Sequence, residues 1–462
     1  MDTNLILAIS TVVIIVLILC EMPIGLALGT GATVGIALMY DIETATQVLA
    51  TVPFSTISIY ALFAIPMFVL LGSLVANTKI AESLFDAAQF VFGRLPGGLA
   101  ASTVGATMVF SGISGSSSAD VATVGRISIS QMRKHGYSGE YSAAIVATAG
   151  AFAALIPPSV GLVLYAVLSG ESVGAMILAG IVPGIISGVV LGVAVVCAAV
   201  VRNRRVGSTE GVSAIVQSSR PTTSTGTVAL AGPTHTGRGG RVPAAVGAIY
   251  GLVLFCIVAG GIYAGIFTPT EAGAFGAFAS LILVVISVRF RVATVFEVSK
   301  TALWEAAQLT AMIFLLVIGG ALLSYMVAAS GLPADLAIWL VGLDLEPRVI
   351  IALILILMIP LGMVLDGLSI MLLTVPIIVP IVDVFGFNGI WFGILMIKLI
   401  EIGLLTPPVG LNVFVAAGLF PDLKIEKIFR AVAPFILLDL AITSVFFIFP
   451  DIILWLPSRA GF

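Results

Sequence analysis

Ten apolar blocks follow one another along this chain, each about as long as a hydrocarbon layer is thick. They run Leu5 to Cys20, Pro23 to Tyr40, Tyr60 to Asn77, Ala143 to Tyr165 and Ala175 to Val201, then Ala245 to Phe267, Ala272 to Val288, Ala302 to Ala328, Ile390 to Leu419 and Ala431 to Ile448. A crossing takes roughly 20 apolar residues, so the pattern predicts an all-α polytopic membrane protein with five crossings in each half. Composition agrees: 60% of residues are hydrophobic and 9% charged, too few ionisable side chains to coat a soluble surface. A net charge of -3 without a basic, aromatic-interleaved tract leaves nucleic-acid binding unsupported. Cys20, Cys197 and Cys256 have no metal-ligand spacing and are expected to pack as small hydrophobes. Leu5 to Cys20 is read as a retained first span, because it lacks a basic n-region and a small residue before Cys20.

Two further segments are apolar yet interrupted. The first, Leu99 to Gln131, breaks at Ser114-Gly115-Ser116-Ser117-Ser118; the second, Val349 to Val384, breaks at Gly362 to Gly367. Lipid tolerates non-helical backbone only where protein or water satisfies its N–H and C=O groups, so both read as re-entrant hairpins with buried tips. Two crossings are broken as well, by Pro157-Pro158 and Pro407-Pro408, since consecutive prolines remove two donors and free carbonyls of the preceding turn. Ile80 to Phe92 sets Ile80, Leu84, Ala88 and Val91 against Glu82, Ser83, Asp86 and Gln89, the pattern of a helix lying in the interface. Leu332 to Leu343 is its shorter counterpart.

These landmarks recur. Pro23 and Pro269 are 246 residues apart, Gly115 and Gly367 252, and Pro157 and Pro407 250. Near-constant spacing argues for internal duplication. Five crossings per copy place the second copy upside down, an arrangement typical of secondary transporters. The expected organisation is a first repeat over 1–205, a flexible Ser/Thr/Gly-rich linker over 206–242 and a second repeat over 243–462. With the N-terminus outside, 17 of the 20 Lys and Arg fall on the inner side, so the positive-inside rule puts both termini outside and the linker in the cytoplasm.

Three groups could carry chemistry. Gly112-Ile113-Ser114-Gly115 has the form that intramembrane serine proteases place around a nucleophile, but the two histidines, His135 and His235, lie in a basic loop and in the linker. The hydroxyls and freed carbonyls suit a small hard cation instead; close helix packing by small residues is the structural alternative. Lys398 and Glu401, at i and i+3, are expected to neutralise each other, with a proton or substrate relay as the other reading. Asp366 either caps the second hairpin helix or serves the transport site.

At Phe110 to Asp120, Pro157-Pro158-Ser159, Gly265 to Ala272 and, most specifically, Glu401 to Asn412, the chain resembles the large membrane subunit of tripartite ATP-independent periplasmic (TRAP) transporters over essentially its whole length. The resemblance implies sodium-driven uptake of an organic anion, a carboxylate such as a dicarboxylate or sugar acid, by an elevator in a bacterial or archaeal inner membrane. The implied partners are a small membrane subunit and a periplasmic binding protein. The 206–242 linker departs from that family by its length. No nucleotide-binding motif is present, so an ion gradient is expected to drive transport, with sodium as the expected coupling ion; no organic cofactor is expected, the chain is not expected to be an enzyme, and a channel, a stand-alone ion-coupled organic-anion carrier or an ion antiporter of the same architecture is the competing reading. Candidate substrate ligands are Ser116, Ser117, Ser159, Asp366 and Asn412. The first candidate sodium site is Ser114, Gly115, Ser116 and the carbonyls at Gly150 and Pro157; the second is Gly362, Asp366, Thr406, Pro407 and Gly410.

Overall fold

The computed structural model describes residues 2–78, 80–206, 244–288 and 291–460, and every regular element among them is a helix. The linker read at 206–242 lies outside them apart from Val206, as do Lys79, His235 and Arg289. The first half runs α1 (Thr3–Leu19), α2 (Ile24–Met39), α3 (Ile42–Ile57), α4 (Ala64–Ala76), α5 (Ile80–Phe92), α6 (Gly98–Ser114), α7 (Ser117–Lys134), α8 (Gly139–Ala153), α9 (Val160–Ser169) and α10 (Val173–Val206). The second runs α11 (Ala244–Phe255), α12 (Gly261–Tyr263), α13 (Pro269–Ser287), α14 (Val292–Ser330), α15 (Leu332–Val341), α16 (Pro347–Gly362), α17 (Gly367–Val384), α18 (Gly389–Gly403), α19 (Leu411–Gly418), α20 (Ile425–Ile448) and α21 (Asp451–Arg459).

The hairpin followed by a broken helix therefore occurs twice: α6/α7 with α8/α9, and α16/α17 with α18/α19. The segment Ile80 to Phe92, read as an interface helix, forms α5, and the segment read as its shorter counterpart contains α15. Among the described residues, five unbroken helices are long and apolar enough to cross a membrane: Val173–Val201, Pro269–Ser287, Val292–Ser330, Gly367–Val384 and Ile425–Ile448. One of them, α17, is a hairpin arm.

Three expectations need correction. The sequence reading leaves Ile42–Ile57 unassigned, yet it is a full helix, capped by Asp41 accepting from Thr44 N at 2.6 Å. Glu43, Thr44, Thr46 and Gln47 keep it off any apolar-block test, and Pro53 imitates a breaker. It meets the Tyr60–Ala76 segment at a 57° bend, so the span read at Tyr60 to Asn77 is one arm of a bent pair. The block Ala245 to Phe267 is not one continuous α-helix, because a π-turn over Cys256–Gly260 interrupts it before Gly265 turns the chain at φ 66. The three cysteines sit on exposed positions and not in the packed core.

Placement follows from which helices are apolar all round, since such helices belong in a protein interior. Every residue of α18 is buried, as is α8 from Ser142 to Ala153. With α6, α7, α9, α10, α16, α17 and α20 they form one body. Against it stands a wall built on the 39-residue α14, which packs on α2, α3 and α4. At the rim, α13 starts with a capping box in which Glu271 accepts from Thr268 N at 2.8 Å. The Arg133 guanidinium, 2.7 Å from Asp422, holds that carboxyl below the usual range and joins the end of α7 to the loop after α19.

Candidate functional site

Gly115 closes α6 in the left-handed conformation, φ 69, which an L side chain resists. The space is also taken: a Cβ there would lie 3.0 Å from the Pro158 carbonyl oxygen. The tip rests on the first break, where Val160 N donates to Gly115 O at 3.2 Å and Ser111 Oγ donates to Ala153 O at 2.8 Å. A carbonyl freed at the end of α8 thus finds a hydroxyl of the hairpin.

Beyond the tip, the serine run divides its work. Ser114 Oγ donates to Asp120, whose other carboxylate oxygen is buried without a hydrogen-bond partner among the described residues. Ser116 occupies the N-cap of α7, makes no side-chain cap bond and is exposed. Ser117 Oγ donates to Glu401 Oε1 at 3.0 Å, and Ser118 Oγ to Asn412 Oδ1 at 3.1 Å. Asn412 Nδ2 donates in turn to Glu401 Oε2 at 3.5 Å. The first hairpin is thereby tied to the second broken helix by three hydrogen bonds through four side chains, a ring closed by the Ser117–Ser118 backbone.

The second tip is built differently. Asp366 is the N-cap of α17, accepting from Leu368 N and Ser369 N at 3.1 Å each and from Ser369 Oγ; capping, one of its two anticipated roles, is filled. Gly362 and Gly403 let α16 cross α18 backbone to backbone, and a Cβ on Gly403 would stand 2.6 Å from Gly362 Cα. Thr406 Oγ1 donates to Ile402 O at 2.7 Å, and Gly410 takes φ 63 before α19. The two breaks differ in exposure: residues 151–160 are all buried, whereas Pro407, Pro408 and Val409 are exposed.

A cavity of about 830 Å³ lies where the tips meet the α14 wall. Ser114 to Ser118, Ser159, Asp366 and Glu401 line one side of it; Asn77 of α4 and Glu305 and Gln308 of α14 line the other. Of the predicted site residues, Ser114, Gly115, Ser116, Ser117, Ser159 and Asp366 reach the cavity. Gly150, Pro157, Gly362, Thr406, Pro407, Gly410 and Asn412 do not line it. Gly150 instead allows α8 against α7, where a Cβ would stand 2.9 Å from Ser117 O.

The predicted Lys398–Glu401 pair is absent. Lys398 Nζ pairs with Asp439 of α20, lies 3.3 Å from Ser187 Oγ of α10 and sits 4.7 Å over the Phe152 ring. On a helix buried on every side, i and i+3 can face different neighbours, and the partner that comes with full burial prevails. The sequence reading gives Asp439, Asp120, Ser118 and Glu305 no role. The available signal was numerical: an intramembrane Lys demands an intramembrane acid, and Asp439 lies in the next apolar block.

A family model described as "Tripartite ATP-independent periplasmic transporter, DctM component" matches residues 11–452. The C4-dicarboxylate TRAP transporter large permease protein DctM of Pseudomonas aeruginosa is 32% identical over 413 residues, covering 89% of this chain and 90% of that protein. The isethionate TRAP transporter permease protein DctMQ of Oleidesulfovibrio alaskensis is 32% identical over 424 residues, 91% of this chain and 61% of that protein. Among solved structures, the Alcanivorax borkumensis YdaH transporter, described as having an unusual topology, superposes with a TM-score of 0.63 at 13% identity, covering 96% of this chain and 98% of that one.

Proposed function

This chain belongs to the DctM component of the tripartite ATP-independent periplasmic transporters, a multi-pass transport permease and not an enzyme, and on that premise we propose that it imports a small organic acid with sodium by an elevator movement. The observation that carries this reading is the cavity between two hairpin tips and the α14 wall. Its tips belong to the body built on α8 and α18, and its opposite wall to a different body, so movement of the first past the second would carry an occupant across the membrane. The relatives named above differ in substrate, a C4-dicarboxylate and isethionate, so the class claimed is the small organic acid. The two units are read as inverted repeats, 1–205 and 243–462, joined by the linker 206–242.

Sodium is the coupling ion in this reading. One site gathers Ser114, Gly115 and Ser116 with carbonyls near Gly150 and Pro157; the bare oxygen of Asp120 adds a ligand, because a buried carboxylate oxygen without a donor calls for a cation. The second gathers Asp366, Thr406 and the backbone at Gly362, Pro407 and Gly410. The acid's carboxylate meets Ser116, Ser117 and Ser159 at the positive N-terminus of α7, while Asp366 faces the rest.

The partners are a small membrane subunit, which anchors the α14 wall, and a periplasmic binding protein, which delivers the acid. In liposomes with an inward sodium gradient, uptake should appear only when both are added; robust uptake by this polypeptide alone would overturn the tripartite reading. In the assembled system, Ser116→Ala and Thr406→Ala should each raise the sodium concentration for half-maximal uptake about fivefold, and an unchanged sodium dependence would remove those two ligands.

The location is an inner cell membrane with both termini outside. With Cys20, Cys197 and Cys256 replaced by alanine, a cysteine at the exposed Ser458 should react with an impermeant thiol reagent in intact cells, and one at the exposed Lys424 only after lysis. The reverse pattern inverts the topology.

A further inference from the structure

The two helix N-termini at the tips are not equivalent. That of α7 is open: Ser116 faces the cavity with no cap bond from its hydroxyl. That of α17 is closed by Asp366, which has taken the N–H groups of Leu368 and Ser369 and presents a carboxylate to the cavity. Of the two tips, that of α7 offers the cavity an open N-terminus for an anionic group; the N-terminus of α9, with no cap bond from the Ser159 side chain, lies beside it, where Val160 N donates to Gly115 O. Its ionisable side chains are all acidic, Asp366, Glu401 and Glu305, with no Lys, Arg or His among the described residues lining it.

Those three carboxylates differ in what they have left to give. Asp366 is committed to its cap and Glu401 to Ser117 and Asn412. Glu305 is half-buried on the opposite wall; Asn77 Nδ2 donates to its Oε2 at 2.7 Å, and its Oε1 has no hydrogen bond among the described residues. Sodium held at the tips neutralises charge there and leaves Glu305 as the fixed anion facing the far end of whatever the α7 terminus holds. A dicarboxylate would put its second charge against that wall.

Resting on the transport reading above, we infer that the cavity selects a zwitterionic mono-acid: one carboxylate at the N-terminus of α7, and a cationic group, an ammonium or amidinium, against Glu305. Glu305 is then a specificity-determining residue, and Asn77 fixes its orientation. Charge at the far end is the variable that decides affinity, because attraction and repulsion across a few ångströms of partly dehydrated cavity outweigh the difference in apolar contact among acids of one length.

The test uses three four-carbon probes that differ only at that end, 4-aminobutyrate, butyrate and succinate, titrated against the assembled membrane subunits in sodium buffer with thermal stabilisation as the readout. The parent should bind 4-aminobutyrate about tenfold more tightly than succinate, with butyrate between them. Glu305→Gln should bring the two charged probes to within about twofold, and Glu305→Asp should keep the parent's order. Gln308→Lys, on the same wall, should turn the preference toward succinate, which keeps the test alive if Glu305→Gln fails to fold. Sodium-dependent binding of all three probes with equal strength, or a preference for succinate in the parent, overturns the zwitterion assignment and leaves the transport reading standing. Absence of sodium-dependent stabilisation by any of them removes the cavity as the substrate site and both readings with it.

Discussion

Lys398→Met leaves Asp439 charged and unpaired at full burial, and the protein should lose about 3–5 kcal/mol of stability. Nothing local can answer that charge: Ser187 lies against Lys398, and one Asp439 oxygen already has no donor in the intact protein. Adding Asp439→Leu to the same chain removes the stranded anion and should restore most of the loss, because an apolar pair of similar volume fills the space between α18, α20 and α10 without the desolvation cost of two ions. Thermal melts of the two single variants and the double variant in one detergent decide it. A harmless Lys398→Met, or a double variant no better than the worse single, would show that the pair does not hold these helices. The consequence reaches the cavity, since Lys398 lies one turn before Glu401 on α18 and fixes that helix's rotation.

Gly403→Ala should be nearly as damaging for a different reason. The added carbon would stand 2.6 Å from both Gly362 Cα and the Ile359 carbonyl oxygen. Both are backbone, so no side chain can swing away and α16 must lift from α18. Overpacking of this kind costs about 1–3 kcal/mol, and here it also displaces the arm that ends at the Asp366 tip. Uptake by the assembled transporter should fall by about tenfold or more, the scale on which small misplacements of a site act. Gly192→Ala, with nothing within 4 Å of the new carbon on α10, is the control and should be neutral or slightly stabilising. Parent-like uptake by Gly403→Ala would mean that α16 can lift from α18 without moving the Asp366 tip.

Much of the architecture was legible because it follows from rules about backbone. Proline pairs cannot continue a helix, and a polar Gly/Ser turn inside an apolar segment must be shielded, so the helix breaks at 115–116, 154–159, 363–366 and 404–410 and the limits of α5 could be read from the sequence. What escaped was long-range. Glu401 finds Ser117 across 284 positions and Lys398 finds Asp439 across 41, and no periodicity encodes such distances. Local spacing offered Lys398 and Glu401 to each other and hid both true partners. Helix α3 was missed for the opposite reason: its polar stripe is real, and only packing against α2 and α14 explains why it folds. The spacing that matched Gly115 with Gly367 was also only partly informative, since the first ends a helix in the left-handed conformation while the second begins one behind an aspartate cap.

The ring formed by Ser117, Ser118, Glu401 and Asn412 has a consequence for how such a sequence can change over generations. Each of its hydrogen bonds between the halves joins a hydroxyl in the first half to an amide or carboxylate in the second. Neither half holds a complete version of it, so a change in one half is felt in the other. A substitution at position 117 or 118 leaves an acceptor at Glu401 or Asn412 without its donor, and the four positions act as a single unit spelled in two distant places.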